Sequence, residues 1–265
     1  MSNLERNFEN KREFAVEEKR EQLNDFLESM SLQLKAEGMP VGNDCRVDMG
    51  AFEGAYSPEV IKKDEEMIEK YRKEWYGSSA ESGVGNPGED LEMLKSAIFY
   101  KNLKKDFVVL RSSAYDDIKN GADNIIIERS TGNVVCALDE VEDTAGKVYE
   151  KKKETVLNRN IERNGVSLKY GLAFEKAGDK MKLKFGAMKG LPIFYLALPE
   201  SHVEEGIKNF DPSEESSDYE KKLFSYFIAS LNSQIRALEL NPRHLDSKLK
   251  ERLEAFKHCL KKIPI

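Results

Sequence analysis

Cysteine and histidine are scarce in this chain of 265 residues, at three each. Cys45, Cys136 and Cys259 lie far apart and form no CxxC pair, which excludes a disulfide scaffold or a zinc ribbon and suits a reducing cytoplasm. His202, His244 and His258 are too few and too dispersed for a histidine-rich metal site. No apolar run approaches the ~18 residues of a membrane span, so no membrane partner is expected. Residues 1–12 are charged and lack the apolar stretch of a secretory signal, which again points to the cytoplasm. GxxxxGK[ST] and GxGxxG are both missing, so the usual phosphate-cradling loops are not expected. Ser112-Ser113 has no accompanying base motif, and Cys136 alternates into an apolar strand as a core thiol.

What is abundant is charge, at 34% of the residues against 40% hydrophobic, with a net charge of -6. That balance excludes a strongly basic nucleic-acid coat protein. The charge is unevenly spread. Residues 1–146 carry 19 basic and 31 acidic side chains, residues 147–189 carry 12 and 5, and residues 190–265 carry 11 and 12. A basic middle inside an acidic chain is compatible either with a local anion-binding face or with a solvated lysine-rich hairpin and helix.

Periodicity predicts the elements. Residues 3–36 read as a long polar helix, with a sparse seam of Val16, Leu23, Leu27, Met30 and Leu34 that could pack on the body or on a second copy. Ser57-Pro58 opens a second helix, and the Gly- and Ser-rich stretch that follows reads as a linker. The expected organisation is a helical arm (1–76), a linker (77–88), an α/β core (89–200) and C-terminal helices packed on it (201–265). Within the core, the pattern predicts a helix over 89–104, strands at 107–110, 124–128 and 133–138, and a polar helix over 147–163. Alternating strands follow at 166–175 and 180–185, then a strand buried on both faces at 191–198. Helices near 202–209, 218–239 and 246–261 complete the chain, the second opened by a Ser217/Glu220 capping box. The fold class is α+β, a mixed sheet flanked by helices.

One acidic constellation stands out. The segment YDDIKNGAD leads into the strand that begins at Asn124, and the partner strand ends in Asp139-Glu140-Val141-Glu142-Asp143. A three-residue turn at 130–132 places Asp123 opposite Asp139, while a two-residue turn places it opposite Glu140. Either register sets two carboxylates against each other at one end of the hairpin, which is unfavourable without a compensating cation. Mg²⁺, which takes oxygen ligands, is the natural compensator, and would orient a phosphodiester and activate water. Asp116 and Asp117 read as turn residues, and Glu142 and Asp143 as capping the next helix.

In these residues the core resembles the restriction-endonuclease-like, or PD-(D/E)XK, nuclease superfamily. Gly121-Ala122-Asp123 looks like its first acidic motif and Asp139-Glu140-Val141 like its second, with Glu89 or Glu92 matching the acid that some members add from the preceding helix. The resemblance covers roughly residues 89–198. It implies Mg²⁺ held by Asp123, Asp139 and Glu140, phosphodiester hydrolysis, and nucleic acid as partner. The lysine expected on the second motif's strand is replaced by Val141 or Glu142, which leaves Lys147 or Lys151 on the following helix to serve, or else a degenerate, inactive relative. In the same reading Arg111, Lys169, Lys182 and Lys184 contact phosphates. The whole chain, through YDDIKNGADNIII and VVCALDEV, also resembles a bacterial protein family, a likeness that implies no activity. The alternative reading is a non-catalytic interaction module, with the 3–36 helix offering a surface to a protein partner or to a second copy.

Overall fold

The computed structural model describes residues 3–76, 87–141, 143–177, 180–240 and 245–263. Most of the expected linker, 77–86, and Glu142 lie outside the described residues. The first helices are α1 (Asn3–Ala36) and α2 (Pro58–Tyr76), joined by a segment that carries a short 3-10 turn at Met49–Phe52. Then come α3 (Pro87–Leu103), β1 (Phe107–Arg111), β2 (Asn124–Glu128) and β3 (Val134–Val141). The helix α4 (Gly146–Glu162) and a long hairpin of β4 (Val166–Ala177) and β5 (Lys180–Leu191) precede β6 (Ile193–Ala197). The chain continues through α5 (Glu200–Lys208), α6 (Asp218–Glu239) and α7 (Ser247–Leu260).

The mixed α+β class is as expected. Four strands form one sheet in the order β1-β2-β3-β6, with β1, β2 and β3 antiparallel in succession and β6 parallel to β3. The hairpin β4–β5 is a separate two-stranded sheet. The runs FVVLR, NIIIE and VVCAL are buried throughout, because helices cover both faces of the four-stranded sheet. Those helices are α3 against β1 and β3, α4 and α6 against β6, and α7 against β3.

The β2–β3 turn differs in detail from its expected form. Glu128 and Asn133 close a four-residue turn, with Gly132 at φ 73°. The register shifts between Ile126 and Ile127, leaving Val135 as an extra residue on β3. This bulge restores the alignment a three-residue turn would have given, so Asn124 pairs with Leu138, and one step outward Asp123 stands against Asp139.

The arm is part of the body. Leu23, Leu27, Met30 and Leu34 of α1 are each at most 1% exposed and belong to the same hydrophobic cluster as the sheet. The apolar seam of α1 packs on α3 and α5 of its own chain, so it is not free to serve a second copy or another partner. Ser217 and Glu220 form the expected capping box on α6, and Leu223, Phe227, Leu231, Ile235 and Leu238 its buried stripe. Among the described residues no helix is long and apolar enough to cross a membrane.

Candidate metal centre

Helix α3 is enclosed on all sides, as its all-round apolar sequence requires, yet it buries Asp90, Glu92, Lys95, Ser96 and Lys101. Two of these charges serve packing. Asp90 binds Arg20 of α1, and Lys101 binds Glu220 of α6 at 2.7 Å. The other two, Glu92 and Lys95, lie one turn apart and face the end of the sheet where the acidic constellation sits.

That end is built by a π-helical turn, Asp116–Asn120, between β1 and β2. The turn closes on Gly121 in the left-handed region at φ 57°, where a Cβ would fall 2.5 Å from Arg159 Nη1. Asp116 anchors the turn by accepting from the backbone N–H groups of Lys169 (2.7 Å) and Tyr170 (2.9 Å). Its neighbour Asp117 is partly exposed and pairs with Arg46. Asp123 is pinned through both backbone and side chain. Its N–H donates to Leu138 O at 2.8 Å, and its Oδ2 accepts from Glu140 N–H at 2.6 Å.

Three carboxylates converge here. One oxygen each of Glu92, Asp117 and Asp123 lies within 4.8 Å of the others. Two arginines from outside α3 neutralise part of that charge. Arg46 pairs with Asp117 at 2.9 Å and Glu92 at 3.3 Å, and Arg111 pairs with Glu92. Strand alternation separates the second acidic motif. On one side of the sheet Glu140 contacts Lys95, which also donates to Asn124, itself bonded to Ser96 at 3.0 Å. On the other side Asp139 pairs with Lys152 and, at 3.6 Å, with Arg159.

The electrostatics follow from that enclosure. Burial raises the Asp123 carboxyl well above its ordinary range, and the charges of Asp139, Asp117 and Glu92 add to the rise. Burial lowers the Lys95 ammonium to about 8, against the pull of Asp123 and Glu92. Burial would raise Glu92, but Arg46 and Arg111 outweigh it and hold the carboxyl below its usual range. Asp117 is raised by burial in spite of Arg46.

The structure redistributes the expected residues. Of the set Asp123, Asp139 and Glu140, only Asp123 belongs to the converging triad, because its two companions alternate to opposite sides of β3, each with a lysine of its own. Lys147 and Lys151 are exposed on α4, since helical spacing turns Lys152 instead toward Asp139. Arg111 is buried and committed to Glu92, so it does not present a free cation to a phosphate. Lys169 pairs with Asp64 of α2 and lies over the Tyr115 ring. Lys182 and Lys184 are exposed on the separate hairpin, Lys184 paired with Glu175 at 3.1 Å. Of the two helix acids, Glu92 enters the triad. Lys95 escaped notice, although a lysine three residues after Glu92 amid Leu91, Leu94, Ala97 and Ile98 was a signal. Arg46 carried none, since its place depends on a distant bridge to Arg111.

The donor set is entirely carboxylate oxygen, which suits a hard divalent cation. Glu140, whose side-chain oxygens are buried, is paired with Lys95 rather than free to join that set. No family model, no curated protein and no solved structure matches the chain.

Proposed function

We propose that this chain is a metal-dependent phosphodiesterase, a nuclease of PD-(D/E)XK type acting on nucleic acid, with Mg²⁺ as its ion. The observation that carries this reading is the convergence of Glu92, Asp117 and Asp123 beside the buried Lys95. The topology supports it. A helix, three strands, a helix and, after the inserted β4–β5 hairpin, a further strand follow in the order that the resemblance implies, with Asp123 before the second strand and Glu140 near the end of the third.

Glu92, Asp117 and Asp123 would hold the cation, which when bound would supply Lewis-acid stabilisation and a lowered pKa for water. Lys95 takes the place of the lysine lacking at Val141. With a pKa near 8 its Nζ exchanges a proton near neutral pH, as a group beside an attacking water must. Glu140 holds that Nζ from the strand side, and Asn124 orients it by a hydrogen bond. On the α4 side Lys152 and Arg159 share the one carboxylate of Asp139, which leaves a net positive charge that a phosphate would meet on approach.

A second reading rests on Arg46 and Arg111. Their pairing with Glu92 and Asp117 is also what a buried ion-pair network would show if it served only to lock residues 41–47 onto the core. One experiment separates the two: Mg²⁺- and Mn²⁺-dependent cleavage of single- and double-stranded DNA and RNA by wild type, Asp123→Asn and Lys95→Met. The phosphodiesterase reading expects activity in wild type only. Equal activity in all three, or none with any substrate, leaves the structural network.

A further inference from the structure

We propose that three tyrosines where α4, β6 and α6 meet form a stacking platform for single-stranded nucleic acid, leading it to the carboxylates; this inference rests on the phosphodiesterase reading. In the parallel pairing of β3 with β6, Tyr195 is the partner of Asp139. Paired residues of neighbouring strands share a face, about 5 Å apart, so the ring adjoins the carboxylate. Tyr149 of α4 meets Tyr195 edge to face, with ring centroids 5.8 Å apart. Lys152, one helical turn after Tyr149, ion-pairs with Asp139, which neighbours Asp123 across the β2–β3 hairpin, so aromatic and cationic groups run from α4 to the residue beside the triad's Asp123.

The Tyr195 ring is partly packed against the core. Among the described residues, the hydrogen bond of Tyr149 and Tyr195 is a long one to each other, 3.4 Å. Tyr226 of α6 adds a ring 43% exposed, held by its hydroxyl to Ala197 O at 3.0 Å. Positive charge borders the rings. Lys153 lies 5.9 Å over Tyr149, with Glu150 at 3.6 Å as its exposed partner, and Lys152 and Arg159 continue the line. Rings interleaved with Lys and Arg suit unpaired bases and their phosphates, whereas the bases of a duplex keep their faces covered.

The test uses the full chain with EDTA, so that binding is read without cleavage. Fluorescence anisotropy would compare a labelled oligo-dT, an oligo-rU and a hairpin duplex. The expected result is preference for the single strands, with Tyr149→Leu and Tyr195→Leu each weakening them roughly 5- to 100-fold, as loss of one stacked base should. Tyr149→Phe should retain affinity, and Lys153→Ala should lower the salt dependence instead. Photo-cross-linking of a 5-iodouracil strand to the wild-type chain should mark Tyr149 or Tyr195, independently of any variant's folding. Preference for duplex, unchanged affinity in both Leu variants, or cross-links only elsewhere would overturn the platform. Tyrosine-dependent binding without cleavage under Mg²⁺ would remove the phosphodiesterase reading alone, and cleavage with tyrosine-independent binding would remove the platform alone.

Discussion

At the scale of single residues, Asp123 concentrates the electrostatic cost of the site. A carboxylate whose folded pKa is raised stabilises the fold at low pH and loses that contribution as pH rises through the folded value, opposite to the usual surface aspartate. Asp123→Asn removes the burdened charge. We expect it to raise the melting temperature in EDTA at pH 7.5 by a few degrees while abolishing the stabilisation that Mn²⁺ confers on wild type. A thermal scan of both proteins with and without Mn²⁺ checks this. Lys95 has the opposite sign of charge. Its pKa falls to about 8 in the fold from 10.5 when unfolded, so its destabilising effect is complete below about 8 and fades as pH rises toward 10.5. Urea titrations of wild type and Lys95→Met at pH 7.5 and 10 should show the variant gaining less stability than wild type over that interval. Arg46 holds two of the three triad carboxylates with charge of the same sign that a divalent cation would bring. Arg46→Gln should therefore bind Mn²⁺ more tightly by calorimetry, and be less stable than wild type in EDTA.

Elements position these residues, and one conformation is decisive. Gly121 ends the π-helical turn with positive φ and leaves room for Arg159, which donates to Gly121 O at 3.1 Å while pairing with Asp139. Gly121→Ala combines backbone strain with that clash, and should cost about 1–3 kcal/mol in urea denaturation. The sequence showed where this turn lies, since GAD before an Ile-rich strand is a strong punctuation. It did not show the π geometry, which depends on Asp116 reaching backbone donors on β4, 53 residues later. The hairpin is similar. Its strands were legible from alternation and its register was narrowed to Asp139 or Glu140 opposite Asp123, whereas the four-residue turn and compensating bulge that select Asp139 were not, because two deviations of one residue cancel at the carboxylate end.

For the whole molecule, α1 is integral rather than appended. Five of its residues, Leu23, Phe26, Leu27, Met30 and Leu34, belong to the same cluster as the sheet, so deleting residues 1–37 removes a wall of the core. The truncated chain should lose cooperative thermal unfolding and expose apolar surface, measured by calorimetry and dye binding, rather than remain a folded body with altered mass. The charge asymmetry also takes a spatial form. The basic middle divides between α4, whose Lys152 and Arg159 reach Asp139, and the β4–β5 hairpin, where Lys182 and Lys184 are exposed and Lys169 pairs with Asp64 of α2.

The sequence by itself determined the main elements, the α+β class and a hairpin that sets Asp123 against either Asp139 or Glu140, because periodicity, capping and turn chemistry are local. It also marked the acidic constellation, and the family resemblance offered Glu89 or Glu92 from the preceding helix. Only the tertiary structure decided which carboxylates converge, since Asp117, Glu92 and Asp123 come from a turn, a helix and a strand end. It alone supplied Lys95 and Arg46 as their partners, and it gave the seam of α1 to the chain's own core. Burial links residues far apart in sequence, and a buried charge is settled by whichever opposite charge the packing brings within reach.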